Sequence, residues 1–210
     1  MLFAELEAIT VDGYGTLLEL IDPVEHLGQA LRARGVERAA GAVAYAFQAE
    51  ARYYRLRAHL GRDADSLRVL RHECVAVFLR ALDAPLEPET FVEAFMGALV
   101  FQAVPGATET VERLARHGLR LAVVANWDCS LPQHLEQVGL ARYFTTVVTS
   151  ARAGVPKPDP ALFRLALEEL GVEPGRALHV GDEEVDEVGA RRAGMRFAPA
   201  PLASVFQDWP

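Results

Sequence analysis

Short apolar runs that end in polar, turn-forming residues recur along this chain and predict strands. They cover residues 6–11, 119–125, 144–150 and 177–180. Apolar residues at three-and-four spacing predict helices at 107–117, 131–138 and 160–170, each followed by a glycine. This alternation of strand and helix predicts an α/β fold with a Rossmann-like, doubly wound parallel sheet.

The segment 19–102 departs from this alternation, because its pattern is helical throughout. Its apolar positions predict helices at 23–34, 40–60, 66–82 and 88–100, and no strand. We therefore expect a core domain made of residues 1–18 and 103–210, with residues 19–102 inserted as an all-helical domain.

Polar side chains follow three of the predicted strands at the point where each strand ends. Asp12, Asn126 and Asp182 hold these positions, and Lys157 lies in the loop after the remaining strand. Ligands of doubly wound sheets bind at the carboxyl ends of the strands, so these side chains are expected to converge. Asp186 would share a face with Asp182 if a helix begins there, because four residues make about one turn.

Lys157 is the single lysine of the chain, beside twenty arginines, and a proline stands on either side of it. An ammonium is a compact charge on a flexible stem, whereas a guanidinium is a planar fork. The composition therefore indicates a site that needs an ammonium to neutralise two anionic oxygens. Chance survival of one lysine in an arginine-biased sequence is the alternative interpretation.

The charge of the chain limits the classes of partner. A formal net charge of −8 and a pI near 5.3 weigh against nucleic acid and against an anionic membrane, since both bind clustered basic charge. A small anionic ligand remains compatible with a local positive field. Arginines and tyrosines at 52–57 could supply that field, but charge on a helix favours a solvated face.

Neither a signal peptide nor a membrane span is predicted. No apolar run approaches the roughly twenty residues needed to cross a bilayer, so we expect a cytoplasmic protein. The two cysteines, Cys74 and Cys129, are too few for a disulfide framework or a zinc site.

The ordered motifs resemble those of the haloacid dehalogenase-like (HAD) hydrolase superfamily over essentially the whole chain. The segment Asp12-Gly13-Tyr14-Gly15-Thr16-Leu17 is similar to the first motif of that family. Residues 123–126, 157–160 and 181–186 are similar to its second, third and fourth motifs. Residues 124–128, 149–151 and 157–163 resemble the subgroup named haloacid dehalogenase-like hydrolase domain-containing protein three. The resemblance implies a hydrolase whose helical insertion is a mobile cap that closes over the site and selects the substrate.

The reaction implied by this resemblance is phosphoryl transfer through an aspartyl-phosphate intermediate on Asp12. A carboxylate that attacks a phosphate dianion meets charge repulsion, so Mg²⁺ is implied as cofactor. Its ligands would be Asp12, Asp182 and the backbone carbonyl of Tyr14. Asp186 and Glu183 would lie just outside these ligands.

The other residues implied by the resemblance act on the nucleophile or on the phosphoryl group. Lys157 would hold Asp12 and the transferring group in register, and Thr16 would help to fix Asp12. Asn126 and Gly13 would bind the phosphoryl oxygens. The implied substrate is a small phosphorylated metabolite.

Two positions differ from the pattern of the family's phosphatases. Tyr14 stands where they carry a second aspartate, the general acid and base, and Ala125 stands where they carry a serine or threonine. A phenol can donate a proton but is a poor base at neutral pH, since its pKa is about 10 in peptides. We expect a slow phosphatase, or one limited to substrates with good leaving groups.

Two alternatives stay open on the sequence. The opening Asp-Xaa-Tyr-Gly-Thr also resembles metal-free 2-haloacid dehalogenases, in which the aspartate displaces halide from carbon. Asp182 and Phe163 stand where those enzymes carry other residues, which favours the phosphatase. Tyr14 and Ala125 also fit a non-catalytic protein that binds a ligand or a partner on a HAD fold. The physiological substrate stays open, as does the choice between monomer and homodimer.

Overall fold

The computed structural model describes residues 5–209 and is built around a parallel sheet. The strands are β1 (Ala8–Val11), β2 (Leu18–Leu20), β3 (Phe101–Ala103), β4 (Arg120–Ala125), β5 (Thr146–Thr149), β6 (Ala177–Gly181) and β7 (Arg196–Pro199). The helices are α1 (Pro23–Arg32), α2 (Ala40–Arg55), α3 (Ala64–Ala81), α4 (Pro88–Ala98), α5 (Ala107–Arg116), α6 (Leu131–Gln137), α7 (Ser150–Ala153), α8 (Ala161–Leu170), α9 (Glu184–Arg192) and α10 (Leu202–Val205). Short 3₁₀ turns cover Ala58–Leu60, Ala141–Tyr143 and Pro174–Arg176.

The central sheet has the order β5-β4-β1-β6-β7, and every pairing in it is parallel. All four residues of β1 are fully buried, as expected for a strand covered on both faces. One face packs Ile9 and Val11 against α5 and α6. The other face belongs to a second apolar cluster, in which Ala8 lies with residues of α8 and α9. The predicted doubly wound sheet is confirmed.

The strand register places the residue after β1 at the centre of the sheet edge. Val11 pairs with Val123 of β4 on one side and with Val180 of β6 on the other. Asp12 therefore emerges between the ends of the two neighbouring strands. This is the edge at which the sequence predicts a ligand site.

Helices α1 to α4 enclose an apolar core of their own. Its buried aromatic side chains are Phe78 of α3 with Phe91 and Phe95 of α4. The ring centroids of Phe78 and Phe95 lie 5.0 Å apart in an edge-to-face arrangement, which is a favourable aromatic geometry. The inserted helices are thus held together by their own packing.

The prediction that 19–102 carries no strand is wrong at both ends of the segment. Leu18–Leu20 pairs antiparallel with Phe101–Ala103, and together they form a two-stranded ribbon where the chain enters and leaves the insertion. The side chains of Glu19 and Gln102 are hydrogen-bonded across it at 2.9 Å. Three residues are too few for a period-of-two pattern to stand out, and the pairing partner lies more than eighty residues away.

Helix boundaries in the insertion also differ from the sequence prediction. The helix predicted at 40–60 ends at Arg55, and a separate 3₁₀ turn follows at Ala58–Leu60. Within residues 5–209, no helix combines the length and the apolar character that a bilayer span would need.

Glu50 is a carboxyl group buried inside the insertion, between α2 and α3. It is 6% exposed, is hydrogen-bonded to the Cys74 thiol and has no ion pair among the described residues. Burial raises the pKa of Glu50 to about 7. The folded protein therefore holds a proton that the unfolded chain releases near pH 4.5, and stability is lost as pH rises from that value through 7.

Glu50→Gln is expected to remove this pH dependence. At pH 8 the variant should be more stable than the wild type by up to about 3 kcal/mol, because a pKa shift from 4.5 to about 7 corresponds to that free energy. Urea unfolding between pH 4 and pH 8 measures the effect, and the exposed Glu93→Gln on α4 is the matched control. Parallel pH profiles for wild type and Glu50→Gln would contradict the assignment.

Candidate active site

A glycine-rich loop holds Asp12 at the carboxyl end of β1. Asp12 is only 7% exposed. The carbonyl of Gly13 accepts the backbone N–H groups of Leu17 and Leu18 at 3.0 and 2.8 Å, which folds the loop back toward β2. Gly15 has a φ of 83°, a conformation that favours glycine, and it completes the turn. The tight loop keeps the chain beside the strand end and leaves the Asp12 carboxylate at the sheet edge.

The Lys157 ammonium is buried, and each of its three N–H groups has an acceptor. Nζ contacts the Asp12 carboxylate, the Asp186 carboxylate at 2.5 Å and the carbonyl of Val124 at 3.1 Å. Burial opposes the charge on Lys157, but the two carboxylates outweigh it and raise the pKa of the ammonium. Burial raises the pKa of Asp12 to about 6, against the charge of Lys157. At neutral pH the ammonium is therefore charged and Asp12 is ionised.

Asp186 is held by protein groups at both of its oxygens. Oδ1 accepts from Lys157 and from His179 Nε2, the latter at 3.0 Å, while Oδ2 accepts the backbone N–H of Glu183 at 3.1 Å. Burial opposes ionisation of Asp186, but the hydrogen bond from His179 and the charge of Lys157 hold its pKa below the usual range. Both oxygens of Asp186 are therefore already bonded to groups of the protein.

His179 links this cluster to the centre of the sheet. It is fully buried in β6, and its Nδ1 lies 2.8 Å from the hydroxyl of Thr10 on β1. Burial lowers the pKa of His179, so the ring is neutral at pH 7. Because Nε2 faces the ionised Asp186, it carries the proton, and Nδ1 accepts from Thr10. A buried chain of hydrogen bonds thus runs from Thr10 through His179 and Asp186 to Lys157.

Asn126 lies at the end of β4 and is hydrogen-bonded to the backbone of Lys157. Its Oδ1 accepts the backbone N–H of Lys157 at 2.6 Å, and its Nδ2 donates to the Lys157 carbonyl at 3.2 Å. The amide therefore fixes the backbone of the lysine loop, and the phosphoryl contact that the resemblance implies stays a prediction. Asn126 positions the ammonium against Asp12 from the neighbouring strand β4.

The loop residues Thr16 and Gly13 contact Asp12 differently, and the phosphoryl contact implied for Gly13 stays a prediction. The Thr16 hydroxyl is buried and has no hydrogen-bond partner among residues 5–209, so it makes no bond to Asp12. The Gly13 backbone N–H is hydrogen-bonded to the Asp12 carboxylate. A Cβ at Gly13 would lie 3.1 Å from the Cβ of Ala125, so glycine allows the loop to approach β4 closely. Gly13 thus orients the carboxylate.

The acidic groups of the site suit a hard divalent cation. Oxygens of Asp12, Asp182 and Asp186 all lie within 4.8 Å of one another. The carboxylate of Asp182 is exposed, and a Cβ at Gly15 would collide with it, so the first loop lies directly against this carboxylate. An all-oxygen set of this kind is the donor chemistry that Mg²⁺ prefers.

Tyr14 lies at the mouth of the site and is 50% exposed. Partial burial, followed by the charge of Glu19, raises the pKa of its phenol, and Arg55 opposes this. Tyr14 is therefore protonated at neutral pH. The Tyr14 hydroxyl can donate a hydrogen bond or a proton, but at neutral pH it cannot serve as a base.

The end of α2 contacts the core at two points. The expectation of a solvated face at 52–57 is wrong for Tyr54, which is partly buried against Asp128, whereas Arg55 is exposed as expected. The Tyr54 hydroxyl donates to Asp128 Oδ2 at 2.8 Å, and the backbone N–H of Ser130 donates to Asp128 Oδ1 at 2.7 Å. Arg55 forms an ion pair with Glu183. Glu183, which the resemblance placed just outside the metal ligands, therefore directs its carboxylate to the cap.

Comparison with known proteins identifies the family of this chain. Residues 6–194 match the family model described as haloacid dehalogenase-like hydrolase. Haloacid dehalogenase-like hydrolase domain-containing protein 3 of Bos taurus is 34% identical over 224 residues, covering 97% of this chain and 87% of the relative. This confirms the predicted subgroup resemblance. Ribulose-1,5-bisphosphate 5-phosphatase of Halopiger xanaduensis is 31% identical over 186 residues, covering 82% and 77%.

A solved structure shows the same fold. L-2-haloacid dehalogenase of Xanthobacter autotrophicus with chloropropionic acid covalently bound is 28% identical, with a TM-score of 0.69 and coverage of 97% of this chain and 83% of that one. The match spans both the sheet and the inserted helices. From its motifs, its fold and these relatives, the chain belongs to the haloacid dehalogenase-like hydrolases.

Proposed function

We propose that this hydrolase is a Mg²⁺-dependent phosphatase that acts on a small phosphorylated metabolite through Asp12. The observation that carries the proposal is the pairing of a buried, ionised carboxylate with Lys157, beside the exposed carboxylate of Asp182. Asp12, Asp182 and the Tyr14 carbonyl would hold the ion. When bound, Mg²⁺ supplies positive charge that offsets the repulsion between a carboxylate and a phosphate.

The chain's own residues account for the covalent step. Lys157 bonds to Asp12 Oδ1, which leaves Oδ2 to attack phosphorus. The Oδ2–P bond forms as the bond from phosphorus to the leaving oxygen breaks, and the Tyr14 hydroxyl lies at the mouth of the site to protonate that oxygen. Water then attacks phosphorus and breaks the Oδ2–P bond, which releases phosphate and regenerates the Asp12 carboxylate, while the half-exposed Tyr14 oxygen regains its proton from solvent. Asn126 and Asp186 keep Lys157 in place throughout.

Tyr14→Asp is expected to raise the phosphatase rate, because the new carboxylate can act as a general base and the phenol cannot. The gain should be about a hundredfold in kcat for an alkyl phosphate, whose poor leaving group needs proton transfer most. Tyr45→Asp, at an exposed tyrosine of α2, is the matched control. An unchanged or lower rate would show that the missing acid and base is not limiting.

The test of the proposed function is hydrolysis of p-nitrophenyl phosphate and acetyl phosphate with Mg²⁺ and with a chelator. We expect turnover with Mg²⁺ and its loss in chelator. Hydrolysis that is unaffected by chelator would contradict the metal dependence. Absence of hydrolysis in both conditions would contradict the phosphatase and favour a protein that binds a ligand or partner without turnover.

A metal-free 2-haloacid dehalogenase is the second candidate, favoured by Tyr14 and by the dehalogenase of Xanthobacter autotrophicus. In that reaction Asp12 would attack carbon, release halide and form an ester that water cleaves. The exposed Asp182 has no evident task there, which is why we rank it second. Chloride release from 2-chloropropionate in chelator would support this candidate, and no release across a panel of 2-halo acids would exclude it.

A further inference from the structure

Arg55 reaches from the cap to the mouth of the site. It is the last residue of α2, and its guanidinium pairs with Glu183, the neighbour of Asp182. Its own neighbour, Tyr54, is hydrogen-bonded to Asp128 of the core at 2.8 Å. This partly buried bond holds the end of α2 against the core, and the charge of Arg55 acts on the Tyr14 phenol.

The mouth around Arg55 is acidic. Asp182 and Glu183 are exposed there, and the charges of Asp182 and Glu19 both act on the Tyr14 phenol. Lys157 is already bonded to two carboxylates and a carbonyl. A substrate with a second negative group, outside the reacting phosphate, would meet repulsion at this mouth unless Arg55 received it.

The present partner of Arg55 is easily exchanged. The side chains of Arg55 and Glu183 are 62% and 43% exposed, and an ion pair that is exposed to water in this way contributes little to stability. A guanidinium that meets a carboxylate or phosphate can form two parallel charge-assisted hydrogen bonds. Transfer of Arg55 from Glu183 to a ligand therefore costs little and recovers a stronger contact.

We propose that Arg55 determines substrate class: it selects phosphate monoesters that carry a second anionic group, and it exchanges Glu183 for that group when the substrate binds. The inference rests on the proposed function, since the reacting phosphate must lie at Asp12. In this proposal Arg55 is a specificity-determining residue, and Glu183 holds its guanidinium in place before the substrate binds.

The test uses two esters that differ only at the distal group. 3-Phosphoglycerate carries a carboxylate where glycerol phosphate carries a hydroxymethyl group. Arg55→Gln should raise the KM for 3-phosphoglycerate by about tenfold or more, as expected for a lost charged hydrogen bond, with little change for glycerol phosphate. Arg55→Lys should lose part of this preference, because it keeps the charge without the fork. Glu183→Gln should lower the KM for 3-phosphoglycerate by up to about fivefold.

Matched controls separate this role from loss of surface charge. Arg52→Gln removes an exposed arginine from the same helix, and Glu187→Gln breaks the exposed pair with Arg191 on α9. Both should keep the wild-type ratio of kcat/KM for the two esters. An unchanged ratio in Arg55→Gln, or an equal loss on both esters, would overturn the role of Arg55 while leaving the phosphatase intact. A wild type that hydrolyses neither ester nor p-nitrophenyl phosphate would overturn both proposals.

Discussion

Asp12→Asn is expected to reduce hydrolysis of p-nitrophenyl phosphate by at least about a thousandfold. An amide cannot replace the attacking carboxylate, and removal of a nucleophile costs this much or more in enzymes that form covalent intermediates. The variant should still fold, because Lys157 keeps its bond to Asp186 at 2.5 Å and remains paired in the buried cluster. Initial rates with Mg²⁺ at saturating substrate measure the effect.

The control for this substitution is Asp65→Asn, which changes an exposed aspartate in the first turn of α3. It should keep the wild-type rate. Unfolding curves for both variants show whether the Asp12 change acts on chemistry alone. A folded Asp12→Asn protein with more than a tenth of wild-type turnover would contradict the aspartyl mechanism.

Lys157→Met is expected to lower the free energy of unfolding by about 3–5 kcal/mol. The substitution leaves Asp12 and Asp186 buried without the ammonium that both contact, and breaking a buried pair by removing one partner has this cost. It should also abolish turnover, because the pKa of Asp12, already about 6 with Lys157 present, would rise further and protonate the nucleophile. Urea unfolding at pH 7.5 in chelator measures the stability.

Arg191→Met is the matched control for the loss of stability. Arg191 pairs with Glu187 at the exposed surface of α9, and its removal should cost less than about 1 kcal/mol. If Lys157→Met were no more destabilising than Arg191→Met, the buried cluster would contribute little to the fold. The single lysine would then have no structural reason to be an ammonium.

The parallel sheet and the place of its site could be predicted from the sequence, because each depends on local pattern. Apolar runs beside helical periodicity identify the strands, and parallel topology brings their carboxyl ends together. Asp12 and Lys157 follow from that rule, and they meet in the structure. The ribbon of β2 and β3 could not be predicted, since three-residue strands carry no periodic signal and pair across the whole insertion.

Roles that depend on side-chain direction could not be read from the chain. His179 is one of six scattered histidines, and only the pairing of β6 with β1 reveals its bond to Thr10. Asn126 ends a strand as predicted, but its amide turns toward the backbone of the lysine loop. Arg55 is exposed as its charge predicts, but its pairing with Glu183 could not be predicted, because that partner lies 128 residues away. The cluster of arginines and tyrosines at 52–57 is the signal that the sequence offers.

Rapid acid quench during turnover of p-nitrophenyl phosphate with Mg²⁺, followed by peptide mass spectrometry, tests the central claim most directly. The account predicts a phosphoryl group on the peptide that contains Asp12, and its absence from that peptide in Asp12→Asn. A phosphoryl group on a different peptide, or full hydrolysis by Asp12→Asn, would contradict the claim that Asp12 is the nucleophile.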